Sequence, residues 1–133
     1  MLEAIYNILG NSATVTAIVS ARIFPLRIPI NVAYPALSFQ IVSDVPENNK
    51  TGRADYFNAR VQINCFALNP KDALNLNRAV IKTLERKTPG VYGGIAIKNI
   101  TLLGSMQRMD DSSDYDGVHY FITEFNFCHG STS

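Results

Sequence analysis

The sequence predicts an α+β domain, a mostly antiparallel β-sheet with helices packed on one face, ordered as N-terminal helices, strands, one long central helix, strands. Three observations lead there. From Tyr56 onward, Phe57, Ala59, Val61, Ile63, Cys65 and Ala67 alternate with Asn58, Arg60, Gln62 and Asn64. That is the period of a strand with one dry face and one wet face. Directly after it, Ala73, Leu76, Val80 and Leu84, flanked by Leu74 and Ile81, recur at helical spacing. Shorter alternating stretches on either side supply the remaining strands of a sheet whose dry face such a helix must cover.

Taken in order, Leu2, Ile5, Ile8 and Leu9 mark a first helix that ends at Gly10-Asn11. Ser12 is placed to cap a second, short helix carrying Val15, Ile18 and Val19. Pro25, Pro29 and Pro35 then break regular pairing, so the stretch from Ala21 is expected to be irregular, its apolar residues packed as a loop on the core. Ala36–Ser43 is a strand, with Leu37, Phe39 and Ile41 alternating with Ser38, Gln40 and Val42. Asp44–Asp55 reads as a long polar loop, and loops of that length in small domains are functional or disordered.

The central helix starts at Asn69-Pro70-Lys71-Asp72. Asn69 can cap free amides, Pro70 suits the first helical position, and Asp72 complements the helix dipole. Asn75, Asn77, Arg78, Lys82, Glu85 and Arg86 are expected to face away from the core, and Thr88-Pro89-Gly90 stops the helix. Val91-Tyr92-Gly93-Gly94 reads as a turn. Ile95–Gln107 reads as one strand or two, bent at Gly104, where a missing side chain permits a bulge. Arg108–Gly117 is a second polar loop, and Val118–Cys128 is the last strand. Its apolar residues fall on both faces, Phe121, Phe125 and Phe127 against Tyr120, Ile122 and Cys128, which marks a strand central in the sheet or covered on its outer side. The final five residues, from His129, read as a frayed end.

The 133 residues are read as one domain, residues 1–133, large enough to bury a sizeable core without staples. The formal net charge of +1 lacks the basic excess expected of a protein whose main ligand is nucleic acid. Cys65 and Cys128 sit in apolar strand patterns and read as two buried thiols of a reducing compartment, with a disulfide between them as the alternative. No apolar run is long enough to span a bilayer, and the start lacks a charged-then-apolar signal layout, so no membrane association is expected and the chain reads as cytosolic.

The residues offer little chemistry. His119 and His129 stand in no recognisable motif, and neither cysteine lies beside a cation or helix start that would lower its pKa. No phosphate loop, nucleophile elbow or dinucleotide fingerprint occurs, and Gly93-Gly94 alone is a turn. Asp110, Asp111, Asp114 and Asp116 do cluster. They read foremost as a solvated hairpin tip; a hard-cation site and an acidic contact surface are the alternatives, although no glutamate closes a twelve-residue calcium loop. The surface residues of interest are therefore interface candidates: Asp44, Glu47, Lys50, Arg53 and Asp55 in the first loop, and Arg108, Asp110, Asp111, Asp114 and Asp116 in the second.

The order of elements and several local sequences resemble the tail-completion or tail-terminator family of long-tailed bacteriophages. The features that carry the resemblance are Leu2–Leu9 with its short follower, Ala21-Arg22-Ile23-Phe24-Pro25, Tyr34-Pro35-Ala36-Leu37-Ser38-Phe39-Gln40, and the strand-to-helix unit Asn58–Leu84. Within that unit, Arg60-Val61-Gln62-Ile63-Asn64-Cys65-Phe66-Ala67 followed by Asp72-Ala73-Leu74 is similar to the family's core. The resemblance spans nearly the whole chain and rests on loose apolar patterns. It implies a structural virion protein, not an enzyme, with no catalytic residue and no cofactor. Such a protein forms a ring, usually a hexamer, that caps the head-proximal end of the tail tube and stops its polymerisation. Its partners are copies of itself, the tail tube protein, the head-tail connector or stopper, and DNA that passes through the lumen without sequence-specific binding. The implied location is the head-proximal end of the virion tail, after assembly in the host cytoplasm. The competing readings are another connector or tail tube component, a metal-dependent enzyme using the aspartate cluster, and a free-standing DNA-binding domain.

Overall fold

The fold is known from a computed structural model that describes residues 2–20, 22–26, 28, 33–46, 56–85, 87–110 (backbone alone at 108–110) and 118–130. In chain order the elements are α1 (Leu2–Gly10), α2 (Ala13–Val19), β1 (Ile23–Pro25), β2 (Ala36–Pro46), β3 (Tyr56–Ala67), α3 (Pro70–Glu85), β4 (Gly90–Tyr92), β5 (Ile95–Asp110) and β6 (Val118–Gly130). The strands form one six-stranded sheet in the order β1-β2-β3-β6-β5-β4. The β1–β2 pair is parallel and every other pair is antiparallel, so the sheet is mixed.

The alternation in β3 does what its period requires. Ala59, Val61, Ile63, Cys65 and Ala67 are fully buried, whereas Arg60 is exposed and Asn58, Gln62 and Asn64 are partly so. The buried cluster joins those buried residues, all but Ala67, to Ile23 of β1, Leu37 and Phe39 of β2, Phe125 and Phe127 of β6, and Ile97 of β5. Ala4, Ile5, Ile8 and Leu9 of α1, Val15 and Val19 of α2, and Leu76, Ala79, Val80 and Leu84 of α3 complete it. Strand β6 lies between β3 and β5, central in the sheet, with Phe125 and Phe127 buried and Tyr120 and Ile122 of the other face half-buried.

The start of α3 is fixed locally. Asn69 Oδ1 accepts from the Asp72 backbone N–H at 2.8 Å, and Asn69 Nδ2 donates to Asp72 Oδ2 at 2.8 Å. One side chain thus satisfies an orphan amide and orients a carboxylate toward the positive helix end. Asn69→Ala should lower stability by about 1 kcal/mol, measured as a smaller urea midpoint with an unchanged m-value. Ser12 caps α2 in the same way, accepting from the Val15 N–H at 3.4 Å.

Several expectations need correction. Ile23–Pro25 is not irregular: β1 runs parallel to Leu37–Phe39, and it can end in proline because it is an edge strand. A run of three residues is too short to announce itself by period. Likewise Gly90–Tyr92 pairs with Ile95–Ile97, so the turn is Gly93-Gly94 alone, both at positive φ (58° and 81°). That signature suits a two-residue hairpin whose twist matches its strands. Asn77 does not face away but is buried under α3, where it accepts from Thr123 Oγ1 at 2.6 Å and donates to Ser105 Oγ at 3.1 Å. His129 is not a frayed end, since β6 continues through it to Gly130. Cys65 and Cys128 are both buried, with no disulfide between them; burial pushes the Cys65 thiol well above its ordinary pKa. The expectations placed on Ala21, Pro29 and Arg86 fall outside the described residues.

Candidate assembly surface

The two polar loops are shorter than the sequence suggests. Strand β2 runs on to Pro46 because a bulge between Ile41 and Ser43 restores pairing, setting Ser43 opposite Arg60, Asp44 opposite Ala59 and Pro46 opposite Phe57. Strand β5 likewise runs on to Asp110, so the backbone of Arg108 and Asp110 lies in the ladder opposite Tyr120 and Val118. Of the interface candidates, Glu47, Lys50, Arg53, Asp55, Asp111, Asp114 and Asp116 lie outside the described residues.

Asp44 has a partner within the chain. The bulge at Val42 shifts the parity of β2, so Asp44 shares the face of Ala59 and meets the last turn of the ladder. His129 Nε2 donates to Asp44 Oδ1 at 2.9 Å, and the His129 ring stacks on Phe57 with centroids 5.6 Å apart. The pair ties the end of β6 to β2 across β3 and closes the core where apolar residues run out. By local pattern alone, Asp44 reads as part of a loop and His129 as part of a tail. The signal for their pairing is long-range register, which no local pattern carries.

The sheet face opposite the apolar core is rich in amides. Across the strands, Gln40, Gln62 and Glu124 form one row, Ser38, Asn64 and Ile122 another, and Ser43, Arg60 and Asn126 a third. Gln62 Nε2 donates to Asn64 Oδ1 at 3.0 Å, Asn64 Nδ2 to Ser38 Oγ at 3.3 Å, and Asn126 Nδ2 to Asn58 Oδ1 at 3.1 Å. Arg60 Nε donates to Glu124 Oε2 at 3.1 Å, an ion pair that cancels both charges on this face. The surface therefore offers donors and acceptors with little net field. At one end Phe66 and Tyr120 stack with centroids 5.2 Å apart.

Other concave features are shallow. A groove of about 590 Å³ lies between α1, the end of β1 and the β4–β5 turn, lined by Leu2, Glu3, Tyr6, Asn7, Pro25 and Phe39. Among the described residues, no three His, Cys, Asp or Glu side chains converge as a metal site would need. No described helix is long and apolar enough to cross a membrane. Exposed apolar side chains are spread over the surface: Leu2 and Tyr6 of α1, Leu26 and Leu68 in connections, Tyr56 of β3, Val91 of β4, Val42 and Val45 of β2, and Leu103 and Met106 of β5.

Comparison with known proteins adds the following. The family model described as Tail completion protein gp17 matches residues 3–123. A comparison with curated proteins finds no match. Among solved structures, a chain from "Virion of native gene transfer agent (GTA) particle" is similar with a TM-score of 0.78 at 18% sequence identity, covering 96% of this chain and 92% of that chain. At that identity the likeness is one of fold.

Proposed function

The chain belongs to the tail completion protein gp17 family, and from that premise we propose that it is a structural virion protein that forms a ring at the head-proximal end of a phage tail tube. The ring, most simply a hexamer, stops tube polymerisation and presents a docking surface to the head connector, and DNA passes through its lumen. The observation that carries this reading is the family match over residues 3–123. The shared fold with a chain of a gene transfer agent virion supports it. In this reading the three helices share one face of the sheet, the Asp44–Asp55 segment meets the adjacent subunit or the tube, and the Arg108–Gly117 segment lies at a ring surface. The amide-rich face fits a channel wall: Arg60 and Glu124 neutralise each other there, so this pair presents no net positive charge to phosphates. The protein assembles in the host cytoplasm and acts without a cofactor.

The experiment is electron microscopy of the purified protein alone. Discrete rings of uniform diameter are expected. Long tubes would instead mark a tube subunit, and monomers at every concentration would contradict the reading. Calorimetric titration with calcium, magnesium and manganese should give no heat of binding at millimolar metal. Binding there would revive the aspartate cluster as a cation site.

A further inference from the structure

Two long stretches of sheet edge are open among the described residues. Strand β4 covers only Ile95–Ile97 of β5, and β1 covers only Leu37–Phe39 of β2. The outer side of β5 from Lys98 onward, and of β2 from Gln40 onward, thus carries unpaired backbone donors and acceptors. Proteins that stay monomeric guard such edges with charges, prolines or short strands. Here Asn99–Gln107 holds no charged residue and no proline, and Leu103 and Met106 are about half exposed on it. On the other edge, Gln40–Val45 carries only Asp44, which is bonded to His129 in its own chain, and Val42 and Val45 are about half exposed.

We propose that the β5 edge of one copy pairs with the β2 edge of the next, so that the sheets of a ring join into one continuous sheet. The inference rests on the ring reading above. Strand directions favour it: β2, β3, β6 and β5 alternate, so β5 against the next copy's β2 continues the antiparallel ladder without a break. The contact is heterologous, joining two different edges, which is what a closed ring of identical subunits requires. Curvature favours it as well. The register irregularities lie on these two strands, between Ile41 and Ser43 on β2 and between Ile97 and Asn99 and between Leu102 and Gly104 on β5. Bulges and a glycine on the flanking strands bend a sheet, as closure demands. Closure then covers the open stretches of β2 and β5 and leaves only the short strands β1 and β4 with a free side.

The test uses the full chain with Val42→Cys and Leu103→Cys, singly and together, treated with a flexible bis-maleimide that spans several residues along the edge. The native Cys65 and Cys128 are buried and serve as the internal control. The double variant should give a ladder of covalent oligomers on a denaturing gel, and an equimolar mixture of the two single variants should give dimers only. Each single variant alone should stay monomeric on that gel. Dimers from Leu103→Cys alone would mean that β5 meets β5 and would overturn the proposal. Intact rings by microscopy without crosslinks would overturn it while leaving the ring reading standing; no rings and no crosslinks would end both. As a second measurement, Met106→Lys should turn rings into monomers with the melting temperature of the monomer unchanged, and persistence of rings would count against the edge contact.

Discussion

Phe125→Ala is expected to destabilise the fold by about 3–5 kcal/mol, lowering the melting temperature by about 10 °C or more in a chain of this size. The side chain is fully buried on β6, opposite Val61 of β3 on one side and Leu102 of β5 on the other. Its removal takes apolar area from the middle of the cluster and leaves a cavity bounded by two paired strands. Strands locked in a ladder cannot close on a void as a free loop could, so little of the loss is recovered by relaxation. A thermal melt followed by circular dichroism checks it. Cooperative unfolding near the parent temperature would mean that β6 is not the centre of the core.

Gly93→Ala should cost roughly 2–4 kcal/mol, combining a left-handed backbone with a direct clash. Gly93 sits at φ 58°, and a methyl there would stand 2.6 Å from the backbone oxygen of Glu3 and 2.7 Å from its carbonyl carbon. Those are main-chain atoms of the first turn of α1, so no side chain can swing aside. Either the β4–β5 hairpin or the start of α1 must move. Gly94→Ala is the matched control, with φ at 81° and nothing within 4 Å of the added carbon, so it should cost only about 1–2 kcal/mol of backbone strain. Paired denaturant titrations separate the two. Equal losses would show that the close approach of α1 to the turn does not matter.

The parts of this fold that could be read in advance are those set by local chemistry. The alternation of β3, the Asn69 cap of α3 and the apolar stripe from Ala73 to Leu84 each follow from period or propensity within a dozen residues. What escaped is set by distant pairing. A single extra residue at Val42 reverses the facing of everything after it, carrying Asp44 to the core side and into the reach of His129. Asn77 reads as polar and therefore outward, yet it stands four residues from Ala73 and three from Val80, on the buried stripe, and Thr123 and Ser105 satisfy its amide there. The wet face of β3 was legible as Asn58, Arg60, Gln62 and Asn64. Its partners Gln40, Glu124 and Asn126 were not, because only register brings them alongside.

The role we propose is end-capping, by a ring that joins one end of a tail tube and halts its growth. The direct measurement is electron microscopy of gold-labelled protein mixed with purified tail tubes and free tube subunits. Label at a single end of each tube, with tube length frozen from the moment of addition, is the predicted result. Label spread along the tube walls, or tubes that lengthen as fast as before, would contradict it.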